Sequence, residues 1–197
     1  MQHIHPTPIG WPGPIILFAG LLLFGALLIF AGKRAPEEGE SRRSGRSIVG
    51  IVVQMLSFFA VGAGPMLLIL PATSGPALLQ AVIVLVLSGI TCGLFFASKR
   101  AMGRNWSVVA RTRSDHELVT WGPFAHVRHP IYSALFVWLV AMAVAFGHYR
   151  GLILGVPLYW IGTVLRIVEE EKLLRAQFGE AYDAYAARVK RFLPGII

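Results

Sequence analysis

Ionisable side chains are scarce in this sequence, so the places where they gather stand out. Arg128-His129-Pro130 leads into Tyr132 and an apolar run, and further along Arg166 precedes Glu169-Glu170-Glu171. A proline suits the first turn of a helix, where the amide groups are unpaired and the dipole is positive. Arg128 and His129 beside such a start make a site for an anionic group, a carboxylate or a phosphate, the alternative being a pair of interfacial anchors. Arg166 follows Leu165 inside an apolar stretch. An ionisable group at membrane depth is costly and commonly faces a bundle interior or a wet cavity, unless it snorkels to the interface. Three successive carboxylates in a basic neighbourhood make at least one a candidate to pair with arginine or to hold a cationic or hydroxylated ligand. A solvated helix face is the competing account.

The elements that must position these groups are read from composition and periodicity. Of 197 residues, 55% are hydrophobic and only 14% charged, against about 25% charged in ordinary soluble domains. Mean hydropathy is +0.64. That excludes a disordered or nucleic-acid-wrapping chain and leaves a membrane protein. The single cysteine, Cys92, excludes an intramolecular disulfide framework and a multi-cysteine metal site. No metal is expected: His3 and His5 form an HxH pair, but they read as an outer tail. The net charge of +8 comes from basic residues lying between apolar runs, which points to topology or anionic lipid contact and not to nucleic acid.

Five apolar runs, 15–32, 48–70, 77–98, 131–147 and 151–168, approach the roughly 20 residues a spanning helix needs. The expectation is an all-α polytopic protein with five transmembrane helices. The second should kink at Gly62-Ala63-Gly64-Pro65, where the glycines serve packing and not a dinucleotide loop. His148, Tyr149 and Arg150 alone separate the last two runs, which predicts an antiparallel hairpin. All but Arg150 of the 18 Lys and Arg fall on one side when loops alternate. The N-terminus is therefore expected outside and the C-terminus in the cytosol. No basic residue precedes the first apolar run, so no secretory signal is read. Region 1–98 is expected as a three-helix membrane part, and 99–197 as the chemical part of the same domain. Leu174, Phe178, Tyr182, Tyr185 and Val189 recur at helical spacing, predicting a C-terminal amphipathic helix. It either lies on the inner surface or folds back over the loop after Lys99.

Taken together, several motifs resemble one family. Gly103-Arg104-Asn105-Trp106-Ser107, then His116-Glu117-Leu118-Val119-Thr120, Gly122-Pro123-Phe124 and Val127-Arg128-His129-Pro130-Ile131-Tyr132 are similar to the isoprenylcysteine carboxyl methyltransferases and the related phospholipid N-methyltransferases. Glu170-Glu171, Phe178-Gly179, Tyr182, Tyr185, Val189 and Arg191-Phe192-Leu193-Pro194 complete the pattern. The resemblance covers about Gly103 to Pro194. It implies a membrane methyltransferase that binds S-adenosylmethionine from the cytosolic side through His126, Val127, Arg128, His129, Pro130, Tyr132 and Glu170. It further implies Arg166 and Glu171, five residues apart, at the substrate site. Direct methyl transfer to a lipophilic or prenylated carboxylate would need no base, with Arg166 holding the acceptor. An amine lipid would need one, Glu171 or His129. Ala134 stands where the family usually has glycine, which narrows the space beside the cofactor. Acceptor identity and oligomeric state are left open; the compact plan suggests a prokaryotic inner membrane. An NADPH-dependent reductase or a non-catalytic scaffold are the more distant alternatives.

Overall fold

A computed structural model describes residues 6–30, 45–103 and 117–192. Six helices carry the fold: α1 (Pro12–Phe30), α2 (Gly45–Gly62), α3 (Gly75–Met102), α4 (Pro130–Phe146), α5 (Gly151–Phe178) and α6 (Glu180–Arg188). A 3-10 turn, Gly122–Ala125, precedes α4. No strand occurs among the described residues; Ile9 pairs with Leu68, and Val127 with Lys190, as isolated parallel bridges. The all-α expectation is met. Three helices, α1, α3 and α5, contain segments long and apolar enough to cross a bilayer, while α2 and α4 are apolar but shorter. Large apolar side chains such as Leu22, Phe59 and Ile153 point outward and are largely exposed, as lipid contact requires.

Helix α4 stands between two pairs. On one side Leu17 of α1 and Val84 of α3 pack on Trp138, Ala141, Val144 and Ala145. On the other, Val61 of α2 and Tyr159 of α5 pack on Leu139 and Ala143. The hairpin between α4 and α5 is present, with His148 N donating to Ala143 O at 2.9 Å. Helix α5, however, packs far more extensively on α2 than on α4. The two backbones come close at Gly50 and Gly162: a Cβ on Gly50 would lie 2.7 Å from Gly162 O, and one on Gly162 would lie 2.7 Å from Gly50 O. Small residues are what let apolar helices approach this closely.

Several polar side chains inside the bundle bind backbone oxygens or one another, because lipid offers them no partner. Gln80 Nε2 donates to Val144 O at 2.7 Å, and Thr91 Oγ1 to Ala134 O at 3.2 Å. The buried Lys99 Nζ donates to Leu27 O at 2.8 Å and Leu28 O at 2.5 Å, a cation at the C-terminal end of α1 where the dipole is negative.

Two expectations are corrected. The second apolar run does not kink and continue. Its helix stops at Gly62, because Pro65 has no amide hydrogen and disfavours helical geometry at the residue before it. Residues 66–70 instead run beside the N-terminal segment, with Ile9 N donating to Leu67 O at 2.9 Å and Leu70 N to Ile9 O at 3.1 Å. The packing role expected of Gly62 holds, since a Cβ there would meet Met142 Sδ at 3.3 Å.

The second correction concerns the tail. Helix α5 runs past the expected end of the fifth apolar stretch to Phe178, so all three glutamates are helical. Gly179, at φ 52°, then turns the chain into α6. The conformation is one L side chains rarely adopt. The periodic apolar residues are therefore divided between two helices, not set along one amphipathic face. Tyr182 and Tyr185 are buried, and Tyr185 Oη donates to Phe124 O at 2.7 Å. Of the two placements considered for the tail, α6 folds back on the segment before α4.

Candidate active site

The start of α4 is pinned by the chain that follows α6. Arg128 N donates to Lys190 O at 2.8 Å and His129 N to Arg191 O at 3.0 Å. Arg128 Nη1 donates to Ala186 O at 2.7 Å and also to Val189 O. The expected head of α4, with Arg128 and His129 beside Pro130, is present. Arg128 is committed to these carbonyls and to Glu171, and Pro130 and Val127 are buried. His126 is exposed.

Glu171 is the hub of the charged network. Its Oε1 accepts from Arg128 Nε at 3.3 Å and Nη2 at 3.1 Å and from Arg191 Nε at 3.0 Å, and lies 3.2 Å from His129 Nε2. Its Oε2 accepts from Arg191 Nη2 at 2.7 Å. The residue is 5% exposed. A buried carboxylate requires this degree of pairing. The hydrogen bond to Glu171 pushes the Arg191 pKa up from its already high value. Burial pushes the Tyr185 hydroxyl up to about 12 and raises Tyr182 as well, with the Glu171 charge adding to the effect. Both phenols are therefore neutral donors across the physiological range.

Glu170, one residue earlier, points to different neighbours. Tyr132 Oη donates to its Oε1. Arg166 Nη2 stands 4.0 Å from Oε1, and His129 Nδ1 is 3.7 Å from Oε2. The side chain is 24% exposed, so this carboxylate keeps an accessible edge. The guanidinium carbon of Arg166 lies 5.0 Å from the Tyr132 ring centroid, over its face, a cation-π geometry. Arg166 Nη1 donates to Gln54 Oε1 at 3.0 Å. Tyr159 Oη donates to Tyr132 O at 2.5 Å and so ties α5 to the first turn of α4. Aromatic rings continue outward: His129 to Phe192, 6.2 Å between centroids, and Phe192 to Trp160, 4.6 Å.

A depression of about 490 Å³ lies on the Glu171 side of α5, lined by Val168, Glu171, Lys172, Arg175, Ala176 and Arg191. Glu170 is not among its lining residues. The chain thus presents two chemical faces at the end of α5, one strongly ionic and one combining a carboxylate, a phenol and a guanidinium.

Most of the residues singled out by sequence converge here: Arg128, His129, Tyr132, Arg166, Glu170 and Glu171. Gln54 and Arg191 were not singled out as site residues. Gln54 had one available signal, a polar amide in an otherwise apolar helix; Arg191 had only its position before Phe192. Ala134 is fully buried and packed at the inner face of α4, its carbonyl held by Thr91. Arg104, Asn105, Trp106, Ser107, His116, Leu193, Pro194 and the His3/His5 pair lie outside the described residues.

Fold and site together define a helical protein of membrane type, with an Arg-His-Pro helix head joined to a pair of glutamates on the following helix. Residues 81–176, just under half of the chain, match the model of the isoprenylcysteine carboxyl methyltransferase (ICMT) family, and over that segment the chain is similar to it. A protein-S-isoprenylcysteine O-methyltransferase from Schizosaccharomyces pombe is 33% identical over 87 residues, covering 44% of this chain and 37% of that protein. A probable protein-S-isoprenylcysteine O-methyltransferase from Oryza sativa subsp. indica is 33% identical over 96 residues, 48% of this chain and 50% of its own. A nickel-cobalt-cadmium resistance protein, NccN, from Alcaligenes xylosoxydans xylosoxydans is 34% identical over 109 residues, 53% of this chain and 49% of its own. The chain spans half the length or less of these curated relatives.

Proposed function

We propose that the protein is an S-adenosylmethionine-dependent methyltransferase that esterifies the carboxylate of a lipophilic, isoprenylcysteine-like acceptor. The reading is carried by one juxtaposition: Arg166 and Glu170 on one face of α5, both meeting Tyr132 of α4. The names of the two O-methyltransferase relatives support the same chemistry. When bound, S-adenosylmethionine supplies an electrophilic methyl group.

The residues present fit such a molecule. Glu170 offers an accessible carboxylate edge suited to a hydroxyl pair. Tyr132, His129 and Phe192 offer ring faces suited to a sulfonium. The Tyr182 hydroxyl, buried and without a hydrogen-bond partner among the described residues, is a donor available to an anionic group. Arg166 holds the acceptor carboxylate by charge-assisted hydrogen bonds and orients it. Glu171, whose two oxygens already accept from arginines, fixes the head of α4 and the 189–191 segment in place. In this reading it is a positioning residue, and a carboxylate acceptor asks for no base. An amine acceptor is disfavoured, because its cationic form would meet the like charge of Arg166.

The same reading places five helices across the bilayer of a prokaryotic inner membrane, N-terminus outside, with the α4 head, α6 and the site in the cytosol. The apolar acceptor enters sideways from lipid. The test is calorimetric binding of S-adenosylmethionine and S-adenosylhomocysteine to the detergent-purified protein, with Glu170→Ala as control. Transfer of labelled methyl to N-acetyl-S-farnesylcysteine is then compared with transfer to phosphatidylethanolamine. Saturable binding lost in the variant, with label in the carboxylate acceptor, is expected. No binding by folded protein in both lipid and detergent would overturn the proposal.

A further inference from the structure

Helix α2 lies outside the segment that matches the family model, yet it makes two specific provisions for Arg166. The first is Gln54, which is 2% exposed. Its Oε1 accepts from Arg166 Nη1 at 3.0 Å, and its Nε2 donates to Thr163 Oγ1 at 2.7 Å. Thr163 sits one turn before Arg166 on α5, so a single amide bridges both groups: the guanidinium, which can only donate, takes the amide oxygen, and the threonine hydroxyl accepts from the amide nitrogen. The second is Gly50, one turn earlier on α2. A Cβ at that position would lie 2.5 Å from Arg166 Cγ, so only glycine leaves the channel through which the arginine stem runs. Opposite Gln54, the Tyr132 ring supports the guanidinium face, 5.0 Å from its centroid.

A long arginine loses rotamer freedom when it grips a ligand, and one already held loses less. The holder matters too. Gln54 is neutral, so it orients the guanidinium without adding a second negative charge beside Glu170. A carboxylate at the same place would compete with an acidic acceptor. We infer that Gln54 is a positioning residue for Arg166, and that α2 thereby sets the preference of the acceptor site for a carboxylate. The inference rests on the reading above, in which Arg166 meets the acceptor.

The test uses the full chain in lipid nanodiscs, with N-acetyl-S-farnesylcysteine as acceptor and S-adenosylmethionine affinity measured separately by calorimetry. Gln54→Met keeps the size and loses the acceptor oxygen. Gln54→Glu keeps the shape and adds a charge. Gln54→Met is expected to raise the acceptor KM about tenfold, the scale of a lost hydrogen bond to a charged group, with kcat within about threefold and cofactor affinity unchanged. Gln54→Glu is expected to raise KM further, although glutamate is the better partner for an arginine and for the threonine hydroxyl. That order separates positioning from a plain structural bond, for which glutamate would be the milder change. Should Gln54→Met not fold, Gln54→Glu carries the test. Wild-type KM in the Gln54 variants beside an inactive Arg166→Ala would overturn the inference alone. Parallel loss of cofactor affinity and KM, or a Gln54→Glu milder than Gln54→Met, would overturn it equally. Normal turnover by Arg166→Ala would remove the reading beneath it.

Discussion

Glu170 and Glu171 are neighbours in the chain, yet they face regions built on different principles. The Glu171 region is an ionic clamp joining α5, the head of α4 and the 189–191 strap, with the carboxylate 5% exposed and shared by two arginines and a histidine. The Glu170 region is a junction of α2, α4 and α5, where a phenol, a guanidinium and an amide meet and the carboxylate stays partly open. One residue along a helix turns a side chain by about 100°. That rotation is enough to give one glutamate an architectural task and leave the other available to a ligand. A pair of identical residues therefore need not share a role, and removing each should give a different phenotype.

The contrast is broken most severely at Glu171. Replacing it by alanine leaves Arg128, and Arg191 with it, without their common partner, and losing one member of a buried ionic set costs roughly 3–5 kcal/mol. Glu171→Ala is expected to lose thermal stability in detergent along with cofactor binding and turnover; a variant that melts normally but fails only in turnover would argue for a direct chemical role. Arg166→Ala should come next, with kcat/KM on a carboxylate acceptor down roughly a hundredfold or more and cofactor affinity within about twofold. Loss of cofactor affinity in that variant would move Arg166 to the cofactor side of the junction.

Glu170→Ala is expected to weaken S-adenosylmethionine binding by roughly ten- to a hundredfold while the melting temperature hardly moves. His129 touches both glutamates, so His129→Ala should combine a smaller loss of affinity with a measurable loss of stability; a change in only one of the two would show that the regions are not coupled through that ring. The smallest effect concerns alkaline pH. The Tyr185 hydroxyl is pushed by burial from its ordinary 10.0 up to about 12. The unfolded chain therefore releases that proton first, and stability should fall as pH rises from about 10 towards 12. Tyr185→Phe should show a shallower decline over that window, read from unfolding curves; an unchanged decline would assign it to other groups.

The sequence made the junction legible where chemistry was unusual for its surroundings. Arg166 in an apolar run, three glutamates on a basic side and a proline-led helix start were each conspicuous. Helix identity followed equally well from apolar length. Two things could not be read. Breaks depend on single residues acting with their tertiary surroundings: Pro65 ended a helix that hydropathy would have carried on, and Gly179 split a periodic pattern that looked continuous. Partners across the bundle depend on which helices meet. Gln54 gained its role only because Gly50 and Gly162 bring α2 against α5, and no spacing within either helix announces that. The strap residue Arg191 is similar, since its partner lies on a helix 20 positions earlier.

The strap also has a consequence in time. Arg128 is tied to a carbonyl 61 residues later in the chain, a stretch that takes roughly 3–12 s to synthesise at the rates typical of ribosomes. During that interval the head of α4 exists without its clamp. All the long apolar helices therefore emerge before the ionic hub can close, and the chemistry becomes competent last. Chains halted before residue 188 should insert yet fail to retain labelled cofactor, so an incomplete protein in the membrane would be silent and would not be a leaky catalyst.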